Sequence, residues 1–490
     1  MRKLKRLLRR LFLSVLLIVT AIVIINTVSY SSKQIDVNAV DKIKVSDKVV
    51  QRLSDVTKIA TVSYSTHIDT AAFIEYHNYV DSVFPLVDSL LEKTSINQFS
   101  RIYKWQGRNP NLKPYLLMAH LDVVPVEKES QARWTEPPYS GKVKDNFIWG
   151  RGTLDDKVSA MGILETAEIL LKENYEPQRT IYFAFGHDEE VGGKNGAQAI
   201  VEYCLQKKIN FEYVLDEGSI ILEDAIKGLT QPVALIGTGE KGYCTLELEV
   251  NLEHGGHAAM PPQETTIGIL SHALATLEDH PFPAVMAGNT KELFDHLGPE
   301  MTLPNKAIFA NQWLFGGILK SQLAKAPSSN AITRTTTAPT MIHGGVKDNV
   351  LPTNVSATIN FRILPGETSE TVIVYLKETI DDERVKISKK DASFSSEPSK
   401  VSSSSSFGFN ALQKTSREIF PDALVSPSLV IAGTDSRHYE PVSENIFRFM
   451  PIQFTKDDLK RIHGIDERIS VENYKNMIAF YYQLILNSSI

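Results

Sequence analysis

The stretch IYFAFGHDEEVGG ends a bulky apolar run in Asp188, Glu189 and Glu190, three acids placed where a buried strand should stop. Buried like charges repel and are costly to desolvate, whereas a cation between them removes that cost. Glu189 and Glu190 are adjacent and face different ways, so one carboxylate can bind metal while its neighbour handles protons. His120 and Asp122 in AHLDVVP have the i, i+2 spacing that puts two side chains on one face of a strand. A neutral imidazole ligates a metal while a nearby carboxylate holds its ring. Asp155 and Asp156 in GRGTLDDKVSA, Asp216 in VLDEGS and His463 in RIHGIDERIS complete the set. Each has a plain explanation as a surface acid, a helix-dipole partner or a satisfied histidine. Their recurrence at strand ends argues against coincidence.

Counting donors decides the type of site. His120, Asp155, Glu190, Asp216 and His463 offer two imidazoles and three carboxylates, one more ligand than a single tetrahedral zinc uses. With Asp155 as a bridge, each of two metals receives one histidine, one further carboxylate and the bridge, and keeps a position open for water, which fits a two-metal hydrolase. Mixed nitrogen and oxygen ligands favour two Zn2+ per chain, with Co2+ or Mn2+ as substitutes.

The elements around these residues alternate between strands and helices. YLLMAHLDVVP, TIYFAFGHDEE and FEYVLDEG read as strands running into loops, and VSAMGILETAEILLKE and GAQAIVEYCLQKK as amphipathic helices. This is the pattern of an α/β fold with a mixed central sheet flanked by helices, in which sites collect at the carboxyl ends of strands. A formal charge of −6 on 490 residues, with scattered basic side chains beyond the N-terminus, gives no footing for nucleic acid and points to a small-molecule substrate. Two cysteines, Cys204 and Cys244, rule out a disulfide scaffold. Six basic residues in MRKLKRLLRR precede an uncharged run, Leu11 to Tyr30, long enough to cross a bilayer. The basic cluster predicts an uncleaved anchor with Met1 in the cytoplasm and the catalytic part on the other side, secretion after signal cleavage being the alternative. Residues 31–50 read as a tether, and the Ser- and Lys-rich segment Ser388 to Ser406 as a loop or linker. Neither a GxSxG elbow nor a GxxxxGK[ST] loop occurs, which disfavours a serine esterase or a phosphate-cradling enzyme.

The motifs HLDVVP, GRGTLDDK, DEEVGG, LDEGS, GHAAMPP, NVLPTNVSATINFRILPGET, GTDSRHY and IHGIDERI together resemble the co-catalytic zinc metallopeptidases that include aminoacylases, glutamate carboxypeptidase and carboxypeptidase S. GEKGYCTLELEV, NQWLF and NAITRTTTAPTMIHGGVKDNVLP carry the resemblance to the carboxypeptidase S and N-fatty-acyl-amino-acid synthase/hydrolase branch. The resemblance implies a catalytic domain with a smaller α+β lid inserted in it, and the strand VSATINFRI with the helix TSETVIVYLKETI after it places the lid at 240–388, leaving 51–239 and 389–490 to the catalytic domain and 1–30 to the anchor. It implies His120 and Asp216 on one zinc, Glu190 and His463 on the other, Asp155 bridging, Glu189 as general base and Asp122 orienting His120. His257 would polarise the scissile carbonyl, often from a neighbouring subunit. Asn349 and Arg362 would hold the substrate from the lid, and Gly433 and Thr434 would meet the same end from the catalytic domain. Asn360 stands where many relatives have aspartate, a departure the carboxypeptidase S branch tolerates. The implied reaction is amide cleavage of N-acyl amino acids with a free carboxylate, N-fatty-acyl and reversible cases included. Release of C-terminal residues from short peptides is the alternative. The apolar segment AIFANQWLFGGIL is expected either to line an acyl site or to form lid core. Relatives occur as homodimers through the lid and as monomers. Asp188 has no assigned role.

Overall fold

The computed structural model describes residues 2–224, 226, 228–390 and 395–489. Strands Tyr115–His120 and Ile181–Gly186 are buried at every position, as continuous apolar runs in a sheet covered on both faces should be. They lie side by side and parallel, with His120 opposite Gly186. Around them the strands order as Glu92–Ile96, Ser100–Trp105, Ile181–Gly186, Tyr115–His120, Val214–Leu222, Ile446–Phe454, Val233–Glu240 and Leu424–Val430. The central four are parallel, so their carboxyl ends, and the chemistry-bearing loops after them, share one edge of an eight-stranded mixed sheet. Helices Lys157–Lys172 and Val471–Ser488 bury their apolar sides on one face, through Val158, Leu164, Met477 and Phe480. Helix Ala197–Gln206 covers the other through Ile200, Val201 and Cys204. Both cysteines are free and buried.

A second, antiparallel sheet is inserted between Val233–Glu240 and Leu424–Val430. Its strands order as Thr336–Gly344, Asn354–Ile363, Gly242–Asn251 and Val385–Lys389. Cys244, Leu246, Leu248 and Val250 alternate inward and pack under helices Thr266–Asp279 and Ser369–Ile380, which gives this unit its own core. Residues between the two helices depart from the expected lid: Leu293, Phe294 and Leu297 pack on Val233 and Leu424, at the edge of the eight-stranded sheet.

Two segments read as spacers are instead docked. Gln34 brackets edge strand Leu424–Val430, donating to the Val425 carbonyl at 2.9 Å and accepting from its amide at 2.8 Å, and Val40, Ile43 and Val45 pack against the main core. In the serine-rich run, residues 391–394 lie outside the described residues. Beyond them the chain follows strand Val233–Glu240: the amides of Ser399 and Ser402 donate to the carbonyls of Glu240 and Thr238, and the Ser402 hydroxyl donates to Ile446. Serine suits such an extended return because its hydroxyl satisfies backbone groups that the sheet leaves open.

Candidate active site

His120 closes its strand, and the turn after it brings Asp122 back beneath the ring. His120 Nδ1 donates to the Asp122 backbone carbonyl at 3.0 Å, with Asp122 Oδ1 3.4 Å away. This bond fixes the tautomer and leaves Nε2 facing Asp155 Oδ1 at 2.7 Å and Glu217 Oε1 at 3.4 Å. The Asp122 carboxylate accepts from the amides of Glu189 and Glu190, both at 3.1 Å. Asp122 thus ties the histidine strand to the acidic loop through its backbone and its side chain at once.

Asp155 lies between the two histidines. Its Oδ2 is 3.0 Å from His463 Nε2, which is 3.2 Å from Glu190 Oε2. His463 reaches this position because Glu467, four residues on, is buried in a clamp: Glu467 Oε2 meets Arg151 Nη1 at 2.5 Å, and Oε1 accepts from the amides of Gly152 and Leu154 at 2.8 and 2.9 Å. Arg151 Nη2 in turn donates to the carbonyls of His463 and Gly464 at 3.3 and 3.2 Å. The loops carrying Asp155 and His463 are therefore locked together. Burial pushes Glu467 up to about 7, a shift Arg151 opposes.

The electrostatics call for cations. Burial, followed by carboxylate neighbours, pushes Glu189 and Glu217 well above the usual range. Burial works against charge on His120, but Glu217, Asp122 and Asp155 outweigh it and raise that ring. Hydrogen bonds to Asp155 and Glu190 push His463 up to about 10. Glu190 Oε1 and both oxygens of Asp156 are buried without a hydrogen-bond partner. Two sets of donors lie mutually within 4.8 Å, one of His120, Asp155 and Glu190, the other of His120, Asp156 and Glu217. Imidazole nitrogen with carboxylate oxygens is a donor set for zinc or a similar divalent ion, so the residues fit the metal chemistry read from the sequence.

The geometry departs from the sequence reading at Asp216. Neighbouring residues of a strand face opposite ways, and Asp216 turns to the loop at Thr434: its Oδ2 accepts from the Ser436 amide at 2.9 Å, and burial pushes it up to about 6. Glu217 is the residue that faces His120. Asp156 was noted beside Asp155 but given no place among the ligands, and Glu217 and the buried Asp435, whose oxygens have no hydrogen-bond partner, were not singled out, although the alternation in VLDEGS holds both Asp216 and Glu217. Asp188 acquires a role, since its carboxylate accepts from the amides of Asn195 and Gly196 at 2.8 and 2.7 Å and closes the turn beneath Glu189 and Glu190. Gly196 is required there, because an added Cβ would come within 2.5 Å of Asp188 Oδ1.

The expected substrate-holding residues lie outside this cluster. His257 is exposed in a two-stranded ribbon where it pairs with Val350, and its Nδ1 accepts from the Ala259 amide at 3.1 Å. Asn349 is beside it, its carbonyl accepting from Ala258. Arg362, half-buried in the second sheet, stacks its guanidinium 4.6 Å from the centre of the Tyr243 ring, and forms no ion pair among the described residues. Thr434 spends its amide and hydroxyl on Glu240 Oε1, at 3.1 and 2.7 Å, which leaves Gly433 on the open side of that loop.

The sequence model of Peptidase family M20/M25/M40 matches residues 116–487. The chain belongs to this family. Probable carboxypeptidase S-like 2 of Dictyostelium discoideum is 43% identical over 99% of this chain and 94% of its own length. The N-fatty-acyl-amino acid synthase/hydrolase PM20D1 of Xenopus tropicalis is also 43% identical, over 90% of this chain and 86% of its own. Among solved structures, the M20 family metallo-carboxypeptidase Sso-CP2 from Sulfolobus solfataricus superposes with a TM-score of 0.65 at 16% identity, covering 91% of this chain and all of that one. The protein is a hydrolytic enzyme of a metal-dependent family, as its motifs implied.

Proposed function

We propose that the protein is a two-metal amidohydrolase that cleaves the amide bond of N-acyl amino acids with a free carboxylate, fatty acyl groups included, and that also runs in the synthetic direction. The observation that carries this reading is the Asp155 carboxylate shared between His120 and His463, with Glu189 alongside. In this assignment His120 with Glu217 would hold one ion and Glu190 with His463 the other, with Asp155 available to both. Asp156 supports the His120 side. When bound, two Zn2+, or Co2+ or Mn2+ in their place, polarise the scissile carbonyl and lower the pKa of a shared water.

The chain's own groups do the rest. Glu189, held by its amide on Asp122, accepts a proton from the attacking water and returns it to the amide nitrogen as the C–N bond breaks. His257 donates from the lid to the carbonyl oxygen as charge builds there. Arg362, planar and without a carboxylate partner among the described residues, grips the substrate carboxylate in a bidentate pair, with Asn349 and Gly433 beside it.

Two observations support placing this enzyme on a membrane, and the basic cluster before the apolar helix favours the non-cytoplasmic side for the catalytic part. Helix Arg2–Ser29 is apolar and exposed over a length able to span a bilayer, and its last turns are bonded to the folded enzyme rather than loose, Asn26 donating to Asn311 at 3.0 Å. A homodimer through the lid is in keeping with the exposed edge strand Thr336–Gly344.

The carboxypeptidase S-like relative favours a second reading, removal of C-terminal residues from short peptides. Hydrolysis of N-acyl amino acids with acyl length varied, alongside C-terminal dipeptides, separates the two. Rates that climb with acyl length support the acylase; faster cleavage of dipeptides than of any acyl amino acid overturns it.

A further inference from the structure

The segment expected to be lid core or acyl-site wall is neither packed in the lid's core nor among the metal-facing groups. Residues Leu303–Ala310 and Gln312–Leu323 form two helices joined at Asn311, and this hairpin packs beside the N-terminal helix. We propose that the hairpin is a membrane-docking surface, lying in the boundary between lipid headgroups and acyl chains next to the N-terminal helix. The inference rests on the anchor reading above and goes beyond it, because it adds a second contact with the bilayer outside the spanning helix.

The junction is built rather than incidental. Asn311 is fully buried and satisfied on both sides of its amide. Its Nδ2 donates to the Ala307 carbonyl at 2.9 Å, to Thr27 Oγ1 at 3.2 Å and to the Val23 carbonyl at 3.3 Å. Its Oδ1 accepts from Asn26 at 3.0 Å and from the Trp313 indole at 3.3 Å. Such a polar residue fixes register between helices that apolar contact alone would let slide. Below it, Tyr30 donates to the Phe294 carbonyl at 2.6 Å and covers Gly298, where an added Cβ would come within 2.5 Å of its hydroxyl. The N-terminal helix and the hairpin therefore keep a fixed relation to the eight-stranded sheet.

The hairpin's other side is apolar and uncovered. Leu303, Trp313 and Ile318 are 71%, 57% and 61% exposed, and a Cβ at Gly316 or Gly317 would meet nothing within 4 Å. Its inner side is ordinary core, with Phe309 stacked 4.5 Å from Phe294 and Leu319 buried. Charge favours lipid as the occupant: residues 301–347 carry Lys306, Lys320, Lys325, Arg334 and Lys347 and no aspartate or glutamate. An apolar face with tryptophan, on helices that themselves carry Lys306 and Lys320 and pack beside a bilayer-length helix, has the chemistry of an interfacial element at an anionic membrane.

Tryptophan fluorescence tests this, because Trp105, Trp134 and Trp149 are buried while Trp313 is exposed. The full chain is reconstituted into vesicles of phosphatidylcholine and phosphatidylserine, with or without bromine on the phosphatidylcholine acyl chains. The expected result is bromine quenching, most of which is lost in Trp313→Phe, together with protection of Trp313 from aqueous iodide. Extraction of the chain by alkaline carbonate would sink the anchor reading and this inference with it. A chain that stays in the membrane while iodide still quenches Trp313 overturns the inference alone. Protection from both bromine and iodide also overturns it, in favour of a second copy of the chain covering the hairpin.

Discussion

At the carboxyl ends of the eight-stranded sheet, four of the clustered residues are tied down through backbone groups: His120 by the Asp122 carbonyl, Glu189 and Glu190 by amides bonded to Asp122, and His463 by a carbonyl bonded to Arg151. On the four-stranded insertion, His257 is exposed on a two-residue strand and Arg362 rests on a ring without an ion pair among the described residues. Under the proposed function, the first region is preorganised to hold charge that is always present, and the second keeps donors free for a group that arrives and leaves. A two-part hydrolase needs both, since metal ligands must not move while substrate-binding groups must be able to close and open.

Glu189→Gln keeps the amide bond to Asp122 but loses the proton acceptor, so turnover should fall by about 10² to 10⁴ while metal content stays at the wild-type level. Full activity would remove Glu189 from the chemistry. On the exposed side, His257→Ala should lower kcat by about 10² to 10³ through loss of one donor to the developing oxyanion, with an unchanged melting temperature because the ring is exposed. A large drop in melting temperature would make that residue structural and erase the contrast.

Smaller effects probe the scaffold. Glu467→Gln weakens the clamp on Arg151 and on the Gly152 and Leu154 amides, so metal affinity measured by chelator competition should fall by about 10- to 100-fold. An unchanged affinity would mean that His463 does not depend on the clamp. Far from the metals, burial holds His77 down at about 4, with Arg101 adding to the effect. The folded value lies below the unfolded one, so this stability is complete above pH 6.5 and is lost as pH falls toward 4, a change of about 3 kcal/mol. His77→Gln should flatten the decline in melting temperature across that window; an equally steep decline assigns it to other groups.

Most of the site was legible because strands announce themselves by apolar runs and the reactive residues stand where those runs stop, as at His120 and Glu189. The departure at Asp216 has a definite cause. The strand is irregular here, its pairing with Ile446–Phe454 slipping between Asp216 and Ser219, and Ser436, more than two hundred residues downstream, takes Asp216 onto its amide while Glu217 faces His120. The insertion misleads for a related reason. Its apolar middle has the composition of a core, and only tertiary packing shows Leu293 and Phe294 joining the first sheet. The serine-rich return has the composition of a linker, yet the strand it follows absorbs its polar groups.

The central claim is that His120, Asp155, Glu190, Glu217 and His463 together hold two metal ions. Elemental analysis of the purified full chain tests it most directly, run in parallel on Glu217→Ala and on Asp216→Asn. The account predicts about two divalent ions per wild-type chain, about one in Glu217→Ala and about two in Asp216→Asn, by the donor count of a two-metal site. Near zero metal in the wild type, or full occupancy in Glu217→Ala with loss in Asp216→Asn, would contradict it.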